Sequence, residues 1–147
     1  DDRASIVDFD RSETWSLGLN FHGGAGSGHV SWDTTAVKGG THDFGSTEPI
    51  HDGRWHQVLV TFDARTGRKR IFLDGALDAE EAAYEPGAGL GSERGRTRYG
   101  FIGDGSEAET FDSGRNSRYF GGTVGEVAIW ERALTKDEVA ALYAVGR

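Results

Sequence analysis

The stretch Trp55-His56-Gln57-Val58-Leu59-Val60-Thr61-Phe62, followed by the polar Asp63-Ala64-Arg65-Thr66-Gly67-Arg68 and then Lys69-Arg70-Ile71-Phe72-Leu73, has the form of a β-hairpin. Two runs rich in β-branched and aromatic residues flank a short segment of turn formers. Successive side chains of a strand point to opposite faces, so His56, Val58, Val60 and Phe62 share one face while Trp55, Leu59 and Thr61 share the other. Apolar residues on both sides predict a strand packed on both faces, as in the middle of a sheet. Asp74-Gly75 supplies a second turn, because glycine reaches positive φ without steric penalty.

Working outward, short β-type runs bounded by turn residues recur at Ala4 to Phe9, Thr14 to Phe21, His29 to Asp33, Tyr99 to Ile102 and Thr123 to Trp130. Such spacing predicts an all-β fold of two antiparallel sheets packed as a sandwich. The 147 residues suit one domain, and no repeat, heptad run or proline-rich linker divides them. With 23 glycines, 2 prolines and 36% hydrophobic residues the composition is that of a globular chain with many tight turns. Gly87, Gly89, Gly91 and Gly95, interleaved with charges up to Arg98, mark a surface loop.

At the C-terminus Thr135-Lys136-Asp137-Glu138 is a capping box, in which the Thr135 hydroxyl accepts from the Glu138 amide and the Glu138 carboxylate reaches back to the Thr135 amide. A short helix from Lys136 to about Ala144 follows, ended by Gly146. Val139, Leu142 and Tyr143 fall on one stripe, which predicts packing against the sandwich.

With 24 acidic against 16 basic residues the net charge is −8, which disfavours nucleic acid, whose binding rests on clustered Lys and Arg. The absence of cysteine excludes disulfides, thiolate zinc sites and a cysteine nucleophile, and leaves the compartment open. No apolar run has the roughly 18 to 20 residues of a membrane span, and the chain opens on Asp1 as a mature or excised piece does.

Three blocks carry a family resemblance: Asp52-Gly53-Arg54-Trp55-His56-Gln57-Val58, then Ile71-Phe72-Leu73-Asp74-Gly75, then Gly125-Glu126-Val127-Ala128-Ile129-Trp130-Glu131-Arg132-Ala133-Leu134-Thr135. Together with Tyr99-Gly100-Phe101-Ile102-Gly103 they resemble, in order and spacing, the laminin-G-like, concanavalin-A-like jelly-roll domains, over about Ile6 to Tyr143. The resemblance implies a jelly-roll sandwich in an extracellular module that binds glycans or proteins, often with calcium. It also implies that Trp55 and Trp130 belong to the core. Strands that open such domains, ahead of the segment matched by Ile6 to Ser12, have no counterpart here. The domain over residues 1–147 is therefore expected to lack its first strands, which come from upstream in a longer protein or from a neighbour by strand addition.

Catalysis finds little support. Retaining glycosidases need two carboxyl groups about 5 to 5.5 Å apart, whereas Glu126 and Glu131 have odd spacing that puts them on opposite faces of a strand, and Asp78, Glu80 and Glu81 read as an exposed run. The histidines His22, His29, His42, His51 and His56 lack H-x-H or H-E-x-x-H spacing, and His56 is expected to hydrogen-bond within the fold. No G-x-S-x-G elbow is present.

Oxygen-rich loops are more informative, because calcium takes six to eight oxygen ligands. Asp104, Ser106, Glu107 and Asp112, in the loop after the strand ending at Ile102, are the candidate calcium ligands, with ion pairing to Arg94, Arg96, Arg98, Arg115 or Arg118 as their alternative role. Asp8 and Asp10 form a second carboxylate pair needing a cation or Arg11. For glycan binding the candidate residues are Phe44, Arg115, Asn116 and Tyr119, the aromatics as stacking platforms, with Trp15, Trp32 and Asn20 behind them. The expectation is a non-catalytic module that is secreted or on the cell surface, binds polysaccharide and uses calcium. Its rival is a structural or adhesive subunit that binds protein partners or itself by strand complementation.

Overall fold

The computed structural model describes residues 3–9, 14–20, 28–91, 100–105 and 119–146. Nine strands and one helix lie among them: β1 Ala4–Asp8, β2 Trp15–Leu19, β3 His29–Ala36, β4 Gly40–His42, β5 Gly45–Pro49, β6 Val58–Asp63, β7 Arg68–Leu73, β8 Ala76–Ala82, β9 Phe101–Ile102 and α1 Lys136–Val145. Strands β4-β3-β2-β1-β9 form one antiparallel sheet, with β5 also pairing β3, and β6-β7-β8 form the second.

The hairpin expected at the centre of the sequence is present, with Val58 opposite Leu73 and Asp63 opposite Arg68. Only two residues, Asp74 and Gly75, join β7 to β8, and both have positive φ, 51° and 79°. That is the mirror-image turn whose twist matches two antiparallel strands. Strand β6, however, is the edge of its three-stranded sheet rather than its middle, which is β7.

The sheets stack face to face. Leu17, Val30 and Trp32 of the larger sheet form one core cluster with Ile71 of β7, and Val58, Val60, Phe62 and Leu73 pack against it. On the other side of the smaller sheet Leu59 and Phe72 meet Leu134 and Val139, so both faces of β6 and β7 are covered. The capping box at Thr135 forms as expected, and Arg132, followed by the Thr135 amide, pulls the Glu138 carboxyl down to about 2. Val139 is buried and Tyr143 lies against Gly75, but Leu142 is exposed: the helix docks through a narrower stripe than the spacing predicted.

Four sequence expectations are corrected. Strands β4, β5 and β8 are additional to the predicted set. Asp78, Glu80 and Glu81 are not a solvated run: Asp78 accepts from Thr47 N at 2.7 Å, Thr47 Oγ1 at 2.9 Å and Glu48 N at 3.1 Å, which clips β5 to β8. Glu80 pairs with Arg70 and Arg68, and Glu81 lies 3.0 Å from His42 Nδ1. Residues 123–130 form no strand, and Trp55 and Trp130 are 70% and 44% exposed rather than core, because no strand among the described residues covers either ring. Trp32, conversely, is core and no platform.

Lys69 was not conspicuous in the sequence, yet it is fully buried. It shares the inward face of β7 with Ile71, and its Nζ donates to the carbonyls of Trp32 at 2.6 Å and His42 at 2.9 Å while standing 4.9 Å from the Trp32 ring centroid. Burial pushes its pKa down to about 8, against the opposing pull of Asp33, Glu81 and Asp43. The unfolded chain therefore holds this proton more tightly than the native one, and the resulting penalty is relieved as pH rises from about 8 towards the ordinary lysine value. Between pH 8 and 10 the wild type gains roughly 2 kcal/mol over Lys69→Met, which does not titrate; urea midpoints of the two proteins at each pH measure it.

Candidate functional site

Strand β9 is two residues long and pairs with the end of β1, Val7 opposite Ile102 and Asp8 opposite Phe101. Beyond it Gly103, at φ 82°, turns the chain while its amide donates to Ile6 O at 2.9 Å. Its carbonyl accepts from Phe120 N at 2.9 Å. That bond brings Gly103 and Phe120 together, so Asp104 and Tyr119 are the feet from which the intervening residues depart. Tyr119 is 65% exposed, and Asp104 uses Oδ1 to accept the Gly105 amide at 2.7 Å.

Of the site residues proposed from sequence, Asp104, Tyr119 and Phe44 are among the described residues. Arg115, Asn116, Ser106, Glu107 and Asp112 lie outside the described residues, as do Asp10 and Arg11. Phe44 stands apart on the approach to β5, partly buried, with its ring against the core and Lys69 Nζ 5.5 Å from its centroid. Trp15 is also half-buried, its ring 4.9 Å from that of Phe9, and Asn20 accepts the Gly28 amide at 2.7 Å, so both have packing roles. Asp8 is buried and accepts from Ser5 Oγ at 3.0 Å.

A calcium shell needs six to eight oxygens. Asp104 is the one expected ligand among the described residues, and one of its oxygens is engaged by its own loop. Among the described residues no group of three or more His, Cys, Asp or Glu side chains is placed to hold a metal. The described residues alone therefore do not make a calcium site.

The clearest electrostatic feature is a clamp elsewhere. His56 Nε2 lies 2.9 Å from Asp52 Oδ1, and its Nδ1 lies 2.9 Å from Asp74 Oδ2. Asp74 also accepts the Gln57 amide at 2.9 Å, so the imidazole ties the approach to β6 onto the β7–β8 turn. The two carboxylates, Asp52 foremost, raise the pKa of His56. Arg54, followed by His56, holds Asp52 far below the usual carboxylate range. This is the internal hydrogen bonding expected of His56.

The family model Laminin_G_3, described as the concanavalin A-like lectin/glucanases superfamily, matches residues 1–140. A calpain-type cysteine protease of rice is 35% identical over 104 residues, 64% of this chain and 4% of that protein. Human pentraxin-4 is 34% identical over 104 residues, 65% of this chain and 19% of that protein. The chain thus spans a small part of each relative's length. A solved Bacteroides ovatus structure, described as that of a candidate carbohydrate binding protein, superposes with a TM-score of 0.68 at 22% identity, over 95% of this chain and 36% of that one. The likeness shows a shared fold. No helix among the described residues is long and apolar enough to cross a membrane.

The raised pKa of His56 fixes the sign of its contribution. The bridge to Asp52 and Asp74 stabilises fully below the unfolded histidine value, about 6.5, and is lost as pH rises through the higher folded value. His56→Gln is expected to cost about 1 kcal/mol at pH 6 and less once the imidazole has deprotonated, read from melting temperatures across that range.

Proposed function

We propose that this chain, which belongs to the concanavalin A-like lectin/glucanases superfamily, is a non-catalytic recognition module for polysaccharide, acting as a secreted or cell-surface part of a larger protein. The observation that carries the reading is the exposed Tyr119, next in the chain to Phe120, whose amide is fixed to the carbonyl of Gly103. An exposed phenol offers a flat apolar face with a polar tip, the combination that stacks on a pyranose and bonds its hydroxyls. Arg115 and Asn116, close to Tyr119 in sequence, are the proposed polar partners, and Phe44 a subsidiary platform limited by its packing against the core. Binding loops on a rigid sandwich suit such work.

Two features speak against the glucanase branch of the superfamily. The clustered acids Asp78, Glu80 and Glu81 are committed to partners that hold strands together. Glu126 and Glu131 stand on an exposed segment with no secondary structure, not as a facing pair on one strand. Residues 121–131, mostly exposed and without a backbone hydrogen bond among the described residues, favour a second reading, a structural or adhesive subunit.

On a glycan array, saturable binding to one polysaccharide class that falls at least tenfold in Tyr119→Ala is the expected result (about 1.4 kcal/mol); equal binding by both proteins, or none by either, refutes the reading. Calcium held by Asp104 with Ser106, Glu107 and Asp112 is the second part of the proposal. Millimolar calcium is expected to raise the melting temperature of the wild type and not of Asp104→Ala, by mass action on the native state.

A further inference from the structure

We propose that residues 123–130 are a dimerisation strand, pairing antiparallel with the same residues of a second copy of this chain. Thr-Val-Gly-Glu-Val-Ala-Ile-Trp has the composition of a strand. Among the described residues, none from 121 to 131 makes a backbone hydrogen bond. The segment nevertheless carries apolar side chains into solvent: Ile129 is 67% exposed, and Val127 and Trp130 are exposed beside it. The exposed indole of Trp55 lies against Gly125, where a Cβ would stand 3.2 Å from the ring, and extends the same apolar surface.

Unpaired amides and carbonyls alongside apolar side chains call for a partner that satisfies both, and an extended peptide backbone does so. A sugar offers no row of groups at the strand repeat. The sequence itself supplies a fitting occupant. In an antiparallel register centred on Val127, Trp130 faces Val124, Ile129 faces Gly125 and Val127 faces its own copy, all twice related by one axis. Small therefore meets large, and no acid opposes an acid. Two other registers bring acids together: centring on Glu126 places it against itself, and opposing Glu126 to Glu131 makes two acid pairs. Such an interface is isologous and closed, so it stops at two copies.

The 147-residue chain has no cysteine, which makes the register directly testable. Val127→Cys is expected to crosslink to its own copy under mild oxidation, because facing Cα atoms lie within disulfide reach. Thr123→Cys is expected not to, since the register places the two copies of that position about 27 Å apart. In sedimentation equilibrium the wild type is expected to dimerise, and Ile129→Lys to weaken dimerisation at least tenfold. Val37→Lys, at an exposed residue outside the segment and on the turn after β3, is expected to leave it unchanged. Circular dichroism of each variant confirms folding, and hydrogen exchange of amides 123–130 in the wild type supplies a readout free of substitution. A wild type that stays monomeric with fast exchange overturns the proposal. So does a dimer indifferent to Ile129→Lys, or a monomer whose 123–130 amides are protected only when an added strand peptide or further N-terminal sequence is present, which assigns the segment to a different strand.

Discussion

Strand β7 buries both of its faces, and each face holds a different layer of the molecule. Ile71 points between the sheets into Leu17, Val30 and Trp32, while Phe72, its neighbour, points outward into the cluster with Leu59, Leu134 and Val139 beneath the helix. Side chains alternate with period two, so a slip of one residue would exchange Ile71 for Phe72 and move Lys69 out of the interior. Lys69 makes the slip still less tolerable, because its ammonium is bonded to carbonyls on β3 and β4. A buried cation that lost those acceptors would keep its desolvation cost with nothing to offset it.

The parts of the fold written locally were legible in the sequence. The β6–β7 hairpin follows from alternation, the β7–β8 turn from Asp74-Gly75, and the helix start from Thr135 and Glu138. Strands β4, β5 and β8 were not, because Gly40-Thr41-His42, Gly45 to Pro49 and Ala76 to Ala82 have weak apolar alternation; they are strands because β3 and β7 offer them hydrogen bonds. The reverse error occurs at 123–130, where the alternation is right and a pairing partner is lacking among the described residues. Pattern gives the propensity to pair, while pairing itself is a tertiary fact. Lys69 could have been suspected, since it has the parity of Ile71, but a lysine is almost never fully buried unless its charge is met.

The candidate site was legible as composition rather than geometry. Residues 104–119 stood out for oxygen-bearing side chains near an aromatic, and of these Asp104, Gly105 and Tyr119 are among the described residues. What brings their two ends together is a backbone bond between Gly103 and Phe120, seventeen positions apart, and no side-chain pattern encodes it. The exposed tryptophans were misjudged for the same reason as 123–130: Trp55 and Trp130 have the residue type of a core, and exposure depends on what lies over them. Solvent-facing aromatics among the described residues therefore fall into two kinds. Tyr119 stands beside Phe120 at the Gly103 bond, whereas Trp55 and Trp130 accompany a stretch whose backbone is unpaired among the described residues.

That distinction decides how the two surfaces should be read. The outer strand β8 is charged along its length, with Asp78, Glu80 and Glu81 engaged by β5, β7 and β4 side chains, which blunts it against unwanted pairing. Residues 123–130 have no such guard: a single acid, Glu126, interrupts Val124, Val127, Ile129 and Trp130. A protein that protects one edge with charge and leaves another stretch apolar and unbonded has a different use for the second. The two surfaces are also mechanically joined, because Phe120, fixed to Gly103, is both the foot on which Tyr119 stands and the point from which the unpaired segment departs. Ordering the segment from 123 onward restrains that foot, so whatever strand seats there also limits the freedom that the rim must give up on binding.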